Sequence, residues 1–137
     1  MNLCNETITI YNHYIDSTTK SPVYLPTVID GVHWFGVNKS VPNQNGLVSA
    51  EEYTIRIPLT SNFSGKRYTT KKSFNRLNDR TRYFTITEGD VIVRGSHALS
   101  NVKPSYLESE FDDVITVVSV TDNTQSPNAP HWKVVCK

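Results

Sequence analysis

The chain has 137 residues, 37% of them hydrophobic and 20% charged, with a formal net charge of +1. This length fits one domain, able to bury about 68–70% of its unfolded surface without a metal or a disulfide. The composition excludes a disordered chain, and the near-zero net charge selects no partner, so only the distribution of charge is informative.

Met1 to Glu6 offer neither a basic stretch nor an apolar one for a secretory signal. No apolar run approaches the roughly 20 residues of a membrane span. The expectation is a chain made and kept in a cytosol, where Asn5, Asn38 and Asn62 open only chance N-x-S/T triplets. A reducing compartment also argues against a Cys4–Cys136 disulfide. Neither cysteine has a CxxC or Cys/His neighbour for zinc.

Helical periodicity is nearly absent. Residues 6–12 alternate and read as a first strand. Residues 18–22 form a turn, and 23–29 a second strand, with Pro26 marking an edge or bulge. Asp30-Gly31 is a turn or bulge, after which 32–37 continue in β conformation. Asn45-Gly46 predicts a hairpin whose return strand runs to Pro58, with Tyr53, Ile55 and Ile57 on one face. A long polar loop follows, assigned to residues 60–82. Residues 82–87 and 91–95 read as a hairpin turning at Glu88-Gly89-Asp90. Residues 104–111 suit one or two helical turns, with Pro104 at the start. Residues 113–121 form the most apolar strand and the expected central one. A loop leads to the closing strand 131–136. The predicted fold is all-β: a single small barrel or sandwich of six to eight strands, with a long loop and one or two short helical turns, spanning 1–137 as one domain.

Enzymatic chemistry finds little support. There is no GxSxG, HExxH or phosphate-binding glycine loop, and His13, His33, His97 and His131 stand singly. The expectation is a non-enzyme with no cofactor, no metal and no catalytic residue. Glu108, Glu110, Asp112 and Asp113 match no calcium loop and read as a solvated acidic surface or an acidic inter-subunit contact. Gly89 and Asp90 read as a structural turn: glycine accepts a positive φ and aspartate accepts from turn amides.

The segment from Lys66 to Arg82 is the most informative. Lys66, Arg67, Lys71, Lys72, Arg76, Arg80 and Arg82 face one acid, Asp79, a net +6 that leaves −5 on the rest of the chain. It reads either as a solubilising loop or as a mobile contact element, for DNA in a channel or for an acidic patch on a neighbour. A cationic loop on an acidic body suits head-to-tail ring assembly. The strand aromatics, among them Trp34, Phe35, Tyr83, Phe84 and Trp132, are weighed as a base-stacking platform. Such a platform interleaves aromatic with basic residues, and these strands do not.

From Tyr53 onward the order of parts resembles a tailed-phage head–tail joining protein of the stopper, or head-closure, type. The matching pieces are Tyr53 to Ile57, Glu88 to Gly95, Asp113 to Asp122 and His131 to Cys136. The whole chain is similar to a small family in the structural gene cassettes of phages and prophages of Gram-positive bacteria, through Gly31-Val32-x-Trp34, Ile55 to Pro58, Gly89 to Val93 and His131 to Val135. The resemblance implies a virion protein made in the bacterial host cytoplasm and acting as a connector or head-completion subunit. Its implied partners are a portal or adaptor above, tail proteins below and its own copies in a ring, with non-specific contact to packaged DNA and none to membrane. The alternative is an OB-like phage accessory protein that binds nucleic acid or a host defence factor.

Overall fold

The computed structural model describes residues 5–43, 46–99 and 102–137, with backbone only between 37 and 51. Cys4 and the Asn45 turn position lie outside the described residues. The strands are β1 (Glu6–Ile15), β2 (Pro22–Asn43), β3 (Gly46–Pro58), β4 (Arg67–Tyr68), β5 (Tyr83–Phe84), β6 (Val91–Arg94), β7 (Val114–Asn123) and β8 (His131–Cys136). Two short helices, α1 (Lys71–Arg76) and α2 (Pro104–Glu110), complete the elements. The all-β expectation holds.

Six strands pair antiparallel in the order β1-β2-β3-β8-β7-β6, and β6 returns to β1 to close the ring. The ring is built as two sheets that share β2 and β7, so it has the layered look of a sandwich. Gly31 lets β2 pass between the sheets. Its φ is +89°, and the β1–β2 register skips it, with Glu6 opposite Val32 and Thr7 opposite Asp30. Asp30-Gly31 is therefore a bulge. β7 has its own irregularity, between Val117 and Ser119. There Val117 is buried while Val118 stands 43% exposed.

Alternation places Ile8, Ile10, Ile29, Ile55, Ile57, Ile92, Ile115, Val117, Trp132 and Val134 in one interior core. The outward face of β1 and β6 is covered as well. Tyr11, Val91 and Val93 pack under Leu107 of α2, and the Tyr11 hydroxyl donates to the His97 carbonyl. Every residue of β1 from Ile8 to Asn12 is thus buried. This corrects the expectation that 113–121 is the central strand. β7 buries only Ile115 and Val117, because its outer face meets solvent and a ring has no centre.

Two further expectations change. Residues 82–87 do not form a hairpin with 91–95. β5 pairs in parallel with β4, and β6 pairs with β1 and β7. Nor is 60–82 a free loop. Asn62 pairs with Asp30, the Ser64 hydroxyl donates to the Val28 carbonyl, and Phe84 and Ile86 enter the core. Phe74 of α1 is fully buried, edge-on to Tyr14. Four apolar side chains along residues 60–87 find room against the barrel, counting Phe63, stacked 4.9 Å from Phe84. Their burial is what holds the segment down.

Beyond the barrel, β2 and β3 run on together. From Val37↔Glu52 to Asn43↔Gly46 they pair only with each other among the described residues, since β8 ends opposite Tyr53.

Candidate interaction surfaces

Asp90 is more than a turn residue. Gly89 has φ +89° and Asp90 N–H closes the turn on the Thr87 carbonyl at 3.2 Å. The fully buried Asp90 carboxylate accepts from the backbone N–H of His13 (3.1 Å) and Thr87 (3.0 Å) and from the Asn12 side-chain amide (2.9 Å). His13 Nδ1 lies 2.5 Å from the same carboxylate. Asn12 in turn donates to the Thr85 carbonyl and accepts from the Thr85 N–H at 3.1 Å. This network ties the start of β6 to the far half of β1. The sequence showed four single histidines, and the fold gives one of them an aspartate. Among the described residues no serine, threonine or cysteine hydrogen-bonds the His13 ring. The pair is an anchor, and it occupies the donors a tight crossing would otherwise strand.

The seven cations of the basic arm divide into two groups. Three are engaged by their own chain. Lys66 Nζ donates to the Pro26 carbonyl (2.7 Å) and to Thr27 Oγ1 (2.9 Å). Carbonyl and N–H of one strand residue point the same way, so the donor Pro26 lacks would also lie on this side, where β3 does not reach. Lys71 donates to the His13 carbonyl. Arg80 lies 4.0 Å over the Tyr14 ring and donates to the Phe74 (2.8 Å) and Asn75 (2.7 Å) carbonyls, capping the end of α1. Burial pulls the Lys66 and Lys71 ammonium groups below their ordinary value; for Lys71 the nearby Asp90 charge opposes this and Arg80 adds to it. Arg67, Lys72, Arg76 and Arg82 remain exposed. The arm's acid, Asp79, turns on itself and accepts from the Thr81 N–H (3.0 Å) and hydroxyl (2.7 Å). The expected seven-cation contact is therefore a four-cation surface on a docked arm.

The acidic set sits elsewhere. Glu108 and Glu110 are exposed on α2, over the β1–β6 wall, and Asp112 and Asp113 follow, also exposed. Arg94 joins this edge: it forms a two-pronged ion pair with Glu6 (2.8 and 2.5 Å) and reaches Asp113 at 3.9 Å. Among the described residues no group of three or more His, Cys, Asp or Glu is placed to hold a metal. No helix among them is long and apolar enough to cross a membrane.

A third surface was not anticipated. β2, β3 and β8 put His33, Arg56 and Lys133 directly opposite one another, since His33 pairs with Arg56 and Arg56 with Lys133. One step along, Phe35 faces Thr54. These five side chains line one shallow depression on the outer wall.

What the fold and surfaces define is a small all-β domain with a covered barrel core, a docked basic arm and an acidic edge. Over residues 3–137 the chain matches DUF6751, a family of unknown function, and it belongs to that family. No curated protein and no solved structure matches it.

Proposed function

We propose that the protein is a non-enzymatic structural subunit of a tailed-bacteriophage virion, a head–tail connector of the stopper type. The carrying observation is that the four segments resembling stopper proteins lie on neighbouring strands. The 53–57 piece lies in β3, 131–136 is β8, 113–122 lies in β7 and 88–95 contains β6, contiguous as β3-β8-β7-β6. Pieces scattered through the sequence thus make up one contiguous run of strands, as a shared structural unit requires. The sorting of exposed charge supports the same reading. Arg67, Lys72, Arg76 and Arg82 on the arm, with Glu108, Glu110, Asp112 and Asp113 beside the β1–β6 wall, offer unlike faces for head-to-tail contact between copies. The portal or adaptor above and tail proteins below are the other partners in this reading.

Two measurements test it. Mass spectrometry of purified particles should find the protein, and its absence from virions removes the proposal. Complementation of a null phage with a variant neutral at Arg67, Lys72, Arg76 and Arg82 should give fewer tailed particles, or heads that leak DNA. Normal titre would leave the arm without a role in assembly.

A further inference from the structure

We infer that the outer wall of β2, β3 and β8 is a binding face for single-stranded nucleic acid, with phosphates on Arg56, Lys133 and His33 and a base stacked on Phe35. The inference does not rest on the connector reading.

Register carries the first part of the argument. Three basic side chains directly opposite one another span two strand spacings, about 10 Å. The like charges of Arg56 and Lys133, placed this way, destabilise a sheet. Arg56 and Lys133 are exposed, and among the described residues neither has a hydrogen-bonded or ion-paired partner. The acid closest along β3 on this face is Glu52, four residues from Arg56 and opposite Val37, at the limit of the row. Arg56 and Lys133 are like charges side by side with no partner among the described residues, an arrangement matched to an external anion; His33, at the end of the row, has the Glu6 carboxylate within electrostatic reach.

Phe35 decides which anion. It is 52% exposed, on the same face of β2 as His33, and the two rings lie 6.2 Å apart with planes tilted by 30°. An inorganic anion or a carboxylate-rich peptide needs the cations alone. A single strand needs both parts: a basic track for the backbone and an aromatic face for the bases. Interleaving of aromatic and basic residues is missing along each strand but present across them, with Phe35 from β2, Arg56 from β3 and Lys133 from β8. The depression of about 310 Å³ between these residues is open and shallow, suited to a flat base lying against a wall. Double-stranded DNA hides its base faces and would gain nothing from Phe35.

The test is fluorescence anisotropy with a labelled oligothymidylate, using the whole chain. Binding is expected at low salt with a Kd of about 10⁻⁴ to 10⁻⁶ M, weakening as salt rises with a log–log slope of roughly −0.7 per phosphate contact. Phe35→Ala should weaken it by about fivefold or more. The pair Arg56→Ala and Lys133→Ala should flatten the slope by roughly 1.4. All three side chains are exposed or line the surface, so circular dichroism and Tm should be those of the parent. Neutralising Arg67, Lys72, Arg76 and Arg82 should leave most of the binding in place. The inference is overturned if the oligonucleotide does not bind, if Phe35→Ala binds as the parent does, or if only the arm variant loses affinity. It is equally overturned if light scattering shows the Arg56/Lys133 variant losing self-association while no oligonucleotide binds, which would make the wall a contact between copies.

Discussion

The basic arm and the β2–β3–β8 wall invert each other. In the sequence the arm is conspicuous, seven cations in 17 residues, and the wall is invisible. In the fold the arm uses Lys66, Lys71 and Arg80 to hold itself down, while the wall sets Arg56 and Lys133 side by side with no partner for either among the described residues. Charge density along a chain measures composition. Availability for a partner depends on what each cation meets after folding, and strand register sets that.

The largest effect that can break this comparison is on the arm. Phe74→Ala should cost about 3–5 kcal/mol in chemical denaturation, because a fully buried ring leaves a cavity beneath α1. A change under 1 kcal/mol would mean that the arm is an appendage after all. Asp90→Ala should fall in the same range, since it strands the His13, Thr87 and Asn12 donors at the crossing. Next in size come the engaged cations. Lys66→Met should cost about 1–2 kcal/mol by leaving the Pro26 carbonyl and Thr27 without their donor. Limited proteolysis should spare residues 66–82 in the parent and cut there first in Phe74→Ala.

Smaller still, Arg56→Ala and Lys133→Ala should each change stability by no more than about 0.5 kcal/mol, in contrast to Lys66. A large loss at Arg56 would show that the wall serves the fold. The smallest effect concerns pH. Hydrogen bonds from Arg94, aided by its charge and by His33, hold the Glu6 carboxyl below its ordinary 4.5, and burial opposes them. The contribution of this pair is complete above 4.5 and fades as pH falls through the lower folded value. Glu6→Gln should therefore narrow the gap in Tm between neutral and acidic buffer, by an amount worth less than about 1 kcal/mol.

Much of the fold was legible because alternation is local. Ile8 and Ile10, Ile55 and Ile57, and Trp132 and Val134 announce their inward faces in order along each strand. Pro104 marks the start of α2 in the same local way. The misread parts were those that depend on distant partners. Residues 82–87 carry the alternation of a hairpin arm, yet Asn12 captures Thr85 and Asp90 from the other end of the chain. Residues 113–121 are the most apolar run, but burial of β1 on both faces comes from α2, far away in sequence. The inward member of Val117 and Val118 is decided by a bulge against β8. His13–Asp90 and the His33–Arg56–Lys133 row share this character, since each pairs residues that no spacing rule connects.

The extension of β2 and β3 past the barrel has a different consequence. Within the ring little backbone is left to template another chain, since even the side of β2 that β3 does not reach is met by Asn62, Ser64 and Lys66. From Val37 to Asn43 and Gly46 to Glu52 the two strands have only each other among the described residues, over seven pairs or about 23 Å. This ribbon is therefore where the molecule can grow by strand addition, the route shared by ordered polymers and by aggregates.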